Sequence, residues 1–370
     1  MTKVCHITSV HPPGDARIFV KECCSLAAAG FDVTLVYCGE HDNSYLENGV
    51  NKICVKRHGK GRFSRFIKDT RKVVEKALTT GATVFHFHDP ELIPHAIKLH
   101  KKGYTVFYDA HEDLPLQILS KHYIPVVFRN PIAYFADLLE NSMVKNSSGI
   151  IAATPSITEK FKRKGANTVT IHNFPKTEEL VIDDSEKEAD HFSVCYVGGI
   201  MKTRGIIQMV KAMKGLPCKL ELVGSFSPAS LREEIVRMPE WNQVIEHGFL
   251  DRNGVREIYK KCHVGLVTLL PSPNYLEAYP VKMFEYMAAG LAVIASDFPL
   301  YRSIVEDGEC GLCVDPTDPE AIRNAILQLM NNPEKTMSLG RNGQALVKSK
   351  FNWAHEAEIL VKFYHDNIRN

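Results

Sequence analysis

Two carboxylates, Glu277 and Glu285, flank a short stretch suited to seating an anion, Tyr279-Pro280-Val281-Lys282-Met283. Pro280 fits the first position of a helix, where its missing N–H removes nothing from the ladder. A helix opening there leaves the N–H groups of Val281, Lys282 and Met283 without intrahelical acceptors. Those donors, with the positive end of the helix dipole, attract phosphate. Two acids beside such a seat repel a bare phosphate, so they must face something else. Sugar hydroxyls, which donate to carboxylates, are the natural partners. Upstream, Gly198-Gly199-Ile200-Met201-Lys202-Thr203-Arg204-Gly205 combines glycines that let backbone approach a ligand with bases that neutralise a diphosphate. Arg204 offers a bidentate fork for phosphate oxygens. A third group holds imidazoles and acids: His86-Phe87-His88-Asp89-Pro90-Glu91 and Asp109-Ala110-His111-Glu112-Asp113. These are zinc-ligand types. The first does not fit HxHxDH, however, and HExxH is absent, so no metal site is expected.

These residues need elements to position them. The N-terminal half alternates apolar runs of strand length with amphipathic stretches, which predicts a parallel sheet covered by helices on both faces. A strand over 4–8 leads into a loop at Ser9–Asp15, then a helix stopped at Gly30 and a strand over 31–36. Ligands of such sheets bind beyond the carboxyl ends of the strands, which places that loop at a binding crevice. It lacks GxGxxG. Strands over 83–87 and 105–108 end at the two histidine segments. The stretch 114–142 reads as helical, broken at Pro115, Pro125 and Pro131, and a strand over 149–153 closes the sheet. The acidic segment 178–190 has few large apolar groups and reads as a linker.

A second unit opens with a strand over 192–197. Its glycine turn precedes a helix with Ile206, Met209, Val210 and Met213 on one face. Strands over 219–223 and 244–247 end at Gly224 and at Gly248-Phe249, loops able to hold a nucleobase. Gly290 ends the Pro280 helix, and a buried strand follows over 291–295. In the last stretch Trp353, Ala357, Leu360 and Tyr364 share one helical face.

The block Glu277-x7-Glu285, in the context Pro280-x-Lys282-x-x-Glu285-Tyr-Met-Ala-Ala-Gly290, resembles the signature of family-4 retaining glycosyltransferases. His88-Asp89-Pro90-Glu91-Leu92 and Asp109-x-His111-Glu112 resemble segments of the same family, in the same order, so the likeness covers nearly the whole chain. The resemblance implies a GT-B fold, two Rossmann-like doubly wound α/β domains facing across a cleft. It divides the chain into an acceptor-side domain over 1–177, the linker 178–190, a nucleotide-sugar domain over 191–352 and a helix over 353–370 returning to the first domain. It also implies transfer of a hexose-type sugar from a nucleotide diphosphate donor, UDP- or GDP-linked, to a glycan or lipid-linked hydroxyl in polysaccharide or glycolipid assembly. Glu285 then takes the ribose hydroxyls, Glu277 the sugar hydroxyls, and His111 orients the sugar. Arg204, Lys202 and the N–H groups of Val281 and Lys282 stabilise the leaving diphosphate. Gly14, Gly198, Gly199, Gly224, Phe249, Tyr279 and Pro280 complete the donor set. No protein nucleophile, metal or cofactor is implied. One departure stands out: the family carries an arginine after the first glycine of the turn, where this chain has Gly199, so either one diphosphate contact is missing or Lys202 supplies it.

Composition fits this picture. The 370 residues are 45% hydrophobic and 24% charged with a net charge of +2, which excludes bulk attraction to nucleic acid and predicts two soluble domains. Ten scattered cysteines read as reduced thiols of a cytoplasmic protein, Cys310-Gly-Leu-Cys313 being a lone pair without zinc partners. The segment 52–76 is basic, with Lys52, Lys56, Arg57, Lys60, Arg62, Arg65, Lys68, Arg71, Lys72 and Lys76 around Phe63 and Phe66, which suggests contact with the inner, anionic membrane surface. Two other functions share the architecture: a sugar-nucleotide epimerase, which needs no acceptor, and a non-catalytic nucleotide-sugar-binding protein, favoured by the missing arginine.

Overall fold

A computed structural model describes residues 1–57, 65–120, 124–177, 180–187 and 191–368. The chain forms two compact units, Met1–Asn173 with Ala354–Asn370, and Phe174–Trp353.

The first unit is built on β1 (Lys3–Ile7), β2 (Asp32–Gly39), β3 (Asn43–Glu47), β4 (Val50–Lys56), β5 (Val84–Phe87), β6 (Thr105–Ala110), β7 (Gly149–Ala152) and β8 (Thr168–Thr170). They form one sheet in the order β3-β4-β2-β1-β5-β6-β7-β8. Only β3 runs antiparallel to its neighbour. The central strands are buried on both faces, so Val4, Ile7, Val33, Leu35, Phe85, Phe87 and Val106 lose all contact with water. β7 does not close the sheet; β8 adds to its outer side. Nor does Pro131 break the long helix, which runs uninterrupted over Val126–Lys145.

The second unit holds β9 (Ser193–Val197), β10 (Lys219–Val223), β11 (Val244–Gly248), β12 (Val264–Val267), β13 (Ala292–Ser296) and β14 (Gly311–Val314). All pairings are parallel, in the order β11-β10-β9-β12-β13-β14. The order reverses between β9 and β12, and a doubly wound sheet opens its ligand crevice at that point.

The acidic segment read as a linker is part of this second unit: Leu180 and Ile182 join its core, and Glu186 pairs with Arg256 at 2.9 Å. The final helix, Trp353–Asn367, joins the first unit through Glu356, which accepts the His172 N–H at 2.7 Å, and through the buried Tyr364. All ten cysteines are free thiols. Cys310 is a buried packing residue that donates to the Ile304 carbonyl at 3.4 Å. Among the described residues, no helix is long and apolar enough to cross a membrane.

The basic segment is only partly a surface. Lys52 is buried, pairs with Glu47 at 2.8 Å and lies over the Phe19 ring, so it cannot serve a membrane. Lys56, Arg57, Lys68, Arg71 and Lys76 are exposed. Lys60, Arg62 and Phe63, and the side chains of Arg65 and Phe66, lie outside the described residues.

Candidate functional site

In the second unit the site is assembled at the carboxyl ends of β9, β10 and β12. Gly198 follows β9, donates its N–H to the Val223 carbonyl at 2.9 Å and so ties the first glycine turn to the second. Gly224 has φ 141°, and a Cβ there would overlap the Gly198 carbonyl oxygen, so only glycine lets the two turns nest. Gly205, with φ 77°, is pressed in the same way against the Thr268 carbonyl oxygen beyond β12. Between these contacts Lys202–Arg204 form one 3₁₀ turn that aims Arg204 back at the glycines, its Nη1 donating to the Gly199 carbonyl at 3.3 Å. Tyr196, from β9, donates its hydroxyl to the same carbonyl at 2.8 Å.

The helix behind this turn runs over Val281–Ala288. Pro280 is extended (φ −71°, ψ 116°) and stands just before the helix rather than in its first position. Its carbonyl accepts the Met283 N–H at 2.9 Å, so Met283 leaves the expected set of three free donors and Val281 and Lys282 remain. The helix is fixed by Tyr286. Its hydroxyl accepts the Val197 N–H at 2.8 Å, and its ring fills the space that a side chain at Gly265 would need.

That anchoring delivers Lys282 to the glycine turn. Its Nζ lies 3.7 Å from the centre of the Tyr196 ring, is enclosed, and has no hydrogen-bond partner. Burial pushes the amine well below the ordinary lysine range; the Arg204 charge adds to that, while Glu285 opposes it. An enclosed, unpartnered amine beside a guanidinium is costly unless an anion is to join them.

Lys202 does not occupy the expected place. It is exposed and its Nζ pairs with Glu234 at 2.6 Å. The cation that joins Arg204 at this turn is the Lys282 side chain, beside Gly198; the local sequence pointed only to the Lys282 backbone N–H. Glu277 is exposed after the short helix Pro273–Leu276, and Glu285 is half-buried one turn beyond Lys282. Tyr279 packs against Phe174 and Phe284, as a core residue would. Phe249 is 81% exposed after β11, a ring free to stack.

In the first unit the histidine segments meet around Asp109. Arg17 grips that carboxylate with two bonds, Nη2 to Oδ1 at 2.7 Å and Nε to Oδ2 at 2.9 Å, and gives Nη1 to the Ile171 carbonyl at 2.8 Å. Asp15 caps the helix start by accepting the Arg17 and Ile18 N–H groups, and the π-helical winding of Ala16–Cys23 turns both Arg17 and Glu22 inward. Burial alone raises a carboxylate, yet Arg17 and His111 hold Asp109 well below the usual range. His111 places Nε2 2.9 Å from Asp109 Oδ2, and its ring stays partly open to solvent.

His11, from the loop after β1, comes within 5.2 Å of the His111 ring and 3.0 Å of Asp89 Oδ1. Asp89 also accepts from the Ser9 N–H and the Thr8 hydroxyl; these partners overcome burial and hold it at about 2. Gly14 in that loop is exposed, and a Cβ there would meet open space, so packing does not require glycine. No local spacing links Arg17, His11 or Tyr364 to its polar partners, so these pairings are visible only in the fold. A cavity of about 380 Å³ near Lys3, Asp32 and Lys52 lies at the amino ends of β1 and β2, away from these groups.

The profile of glycosyl transferases group 1 matches residues 178–346, and that of Glycosyltransferase Family 4 matches 16–179. The chain belongs to this glycosyltransferase family. An uncharacterized glycosyltransferase of Methanocaldococcus jannaschii is 27% identical over 225 residues, 60% of each chain. The chain thus spans less than two thirds of the length of that curated relative. Sucrose-phosphate synthase of Thermosynechococcus elongatus superposes with a TM-score of 0.80 at 22% identity, covering 99% of both chains. Anabaena HepE, solved with UDP and glucose, gives 0.76 at 16% identity over 99% of this chain and 100% of its own. The fold of this glycosyltransferase family member is therefore GT-B.

Proposed function

We propose that the protein is a retaining glycosyltransferase that moves a hexose from a nucleotide diphosphate sugar to an acceptor hydroxyl. One observation carries the reading: the Lys282 amine, enclosed and unpartnered, stands with Arg204 at the Gly198-Gly199 turn where a doubly wound sheet binds its ligand. The diphosphate fills that place and bonds Lys282 Nζ, the Arg204 guanidinium and the N–H groups of Val281 and Lys282. Glu285 accepts from the ribose hydroxyls and Glu277 from the sugar. Phe249 and the Gly224 turn take the base, and Tyr279 and Pro280 shape the seat; in the first unit, Gly14 and His111, the latter fixed by Asp109, are the donor-side residues that the family resemblance implies.

The bond from the anomeric carbon to the leaving phosphate oxygen breaks, and the acceptor oxygen bonds that carbon on the same face. Its proton passes to the leaving phosphate. Negative charge grows on the diphosphate as this occurs, and fixed cations aimed there lower the barrier. Lys282 and Arg204 fill the electrostatic role a divalent ion could play, so the chemistry is metal-independent. A glycan or lipid-linked acceptor, in polysaccharide or glycolipid assembly at the inner membrane face, suits the exposed bases Lys56, Arg57, Lys68 and Lys76.

The test is calorimetry with UDP, GDP and ADP beside single-turnover kinetics with the matching sugar nucleotides. Glu285→Ala should weaken nucleotide binding, whereas Arg204→Ala should mainly slow sugar release. No binding of any nucleoside diphosphate by the wild type would end the proposal. Donor conversion without acceptor or hydrolysis would favour the epimerase.

A further inference from the structure

Inside the first unit a second polar cluster remains that the proposed transfer does not use. His6 lies on β1, His86 on β5, His88 just beyond it, and Glu22 on the helix between β1 and β2; all four are buried. One donor atom from each falls within 4.8 Å of the other three. His6 Nδ1 is 2.9 Å from His88 Nε2, and Glu22 Oε2 is 3.9 Å from His86 Nδ1 and 4.0 Å from His88 Nε2. Glu22 Oε1 is held by Arg17 at 3.1 Å, but Oε2 faces the imidazoles with no hydrogen-bond donor.

The outward nitrogens are also arranged. His88 Nδ1 lies 3.2 Å from Asp109 Oδ2 and His6 Nε2 3.4 Å from the Tyr364 hydroxyl. With the inward nitrogens of His6 and His88 bound to a cation, their outward N–H groups have acceptors, while His86 Nδ1 meets the Tyr364 hydroxyl at 2.7 Å and its Nε2 is buried without a partner. A carboxylate behind a ligating imidazole fixes its tautomer in this way.

We propose that His6, His86, His88 and Glu22 form a closed site for a divalent transition metal of the zinc class. Three imidazole nitrogens and one carboxylate oxygen suit zinc rather than magnesium or calcium, which prefer oxygen alone. A tetrahedron with ligand bonds of about 2.0 Å sets donor atoms roughly 3.3 Å apart, and small shifts of the four side chains reach it. All four positions are protein ligands and all are buried, so the ion is structural. It cross-links β1, β5 and the helix carrying Arg17 beneath the Asp109–His111 pair. His88, Asp109 and His111 form a rival triad at the partly open end of the same network.

The test uses the full-length protein without a histidine tag, loaded with zinc or cobalt, gel-filtered and assayed for metal by mass spectrometry; it does not depend on transferase activity. Wild type and His111→Ala should each retain about one metal ion per chain, and the cobalt form should show the visible absorption of a tetrahedral centre. Glu22→Gln and His86→Ala should each retain less than about a tenth as much. Should those variants fold poorly, the wild-type cobalt spectrum and the rise in melting temperature on zinc loading decide. Wild-type protein that emerges metal-free with no thermal shift overturns the site. Loss of metal in His111→Ala with retention in Glu22→Gln also overturns it, assigning the ion to the rival triad.

Discussion

Lys282 Nζ lies 3.1 Å from the point where a Cβ on Gly198 would sit, so the glycine turn is shaped around this amine. Replacing Lys282 by methionine keeps the stem and removes the buried amine. Affinity for nucleoside diphosphate should fall about 10- to 100-fold, from loss of a charge-assisted bond of about 1.5–3 kcal/mol. The melting temperature should hold or rise, because no hydrogen-bond partner is lost and a buried polar group is removed. Calorimetry and a thermal scan on the same sample check both. Unchanged affinity would remove the amine from the phosphate site.

The same amine makes binding proton-linked. Lys282 sits well below the lysine range when the site lacks an anion, and a diphosphate draws it upward. Binding near neutral to mildly basic pH should therefore take up protons, and observed enthalpies should track the ionisation enthalpy of the buffer. For stability the sign runs the other way from an ion pair. The unfolded lysine holds a proton that the folded one has shed, so the penalty from this group shrinks as pH rises toward the ordinary lysine value. Lys282→Met should erase both effects.

Tyr286→Phe tests the anchoring of the helix. It leaves the Val197 N–H without its acceptor and should cost about 1–3 kcal/mol of stability by denaturant titration. Nucleotide affinity should weaken too, since Lys282 rides on the same helix. Normal affinity in a destabilised variant would show that the helix holds its place without this bond.

Arg17 and Asp109 are a buried bidentate pair. Arg17→Met strands a carboxylate and should destabilise by about 3–5 kcal/mol at pH 7. Adding Asp109→Asn should recover much of that loss, a coupling that a double-mutant cycle measures directly. Additive losses would mean that the pair is not the main partner of either group.

His11 and Asp89 give a pH window. Burial lowers His11, but Asp89 outweighs it and raises the imidazole above its ordinary 6.5. The stabilisation from His11 is thus complete below 6.5 and fades as pH rises through the folded value. That from Asp89 is present above 3.8 and is lost as pH falls toward about 2. NMR titration should find His11 above 6.5, and Asp89→Asn should bring it down. A value at or below 6.5 in the wild type would sink the pairing.

Much of the fold and half of the site were legible in the chain itself. Alternating strand-length apolar runs and helical periodicities fixed two parallel α/β units, because strands buried on both faces must be apolar throughout. The block from Glu277 to Gly290 announced a turn, helix and strand within one local stretch, and Arg204 lay within reach of its glycines along the sequence. Local patterns could not show which cation fills the space beside Gly198. Lys202 is nearer in sequence but Glu234 claims it, while Lys282 arrives from another element because Tyr286 binds Val197. Nor could they show Arg17 meeting Asp109, or Tyr364 meeting His86 at 2.7 Å. Backbone preference is set by near neighbours, but the pairing of buried polar groups is set by which strands and helices pack together. Only the folded chain makes that choice.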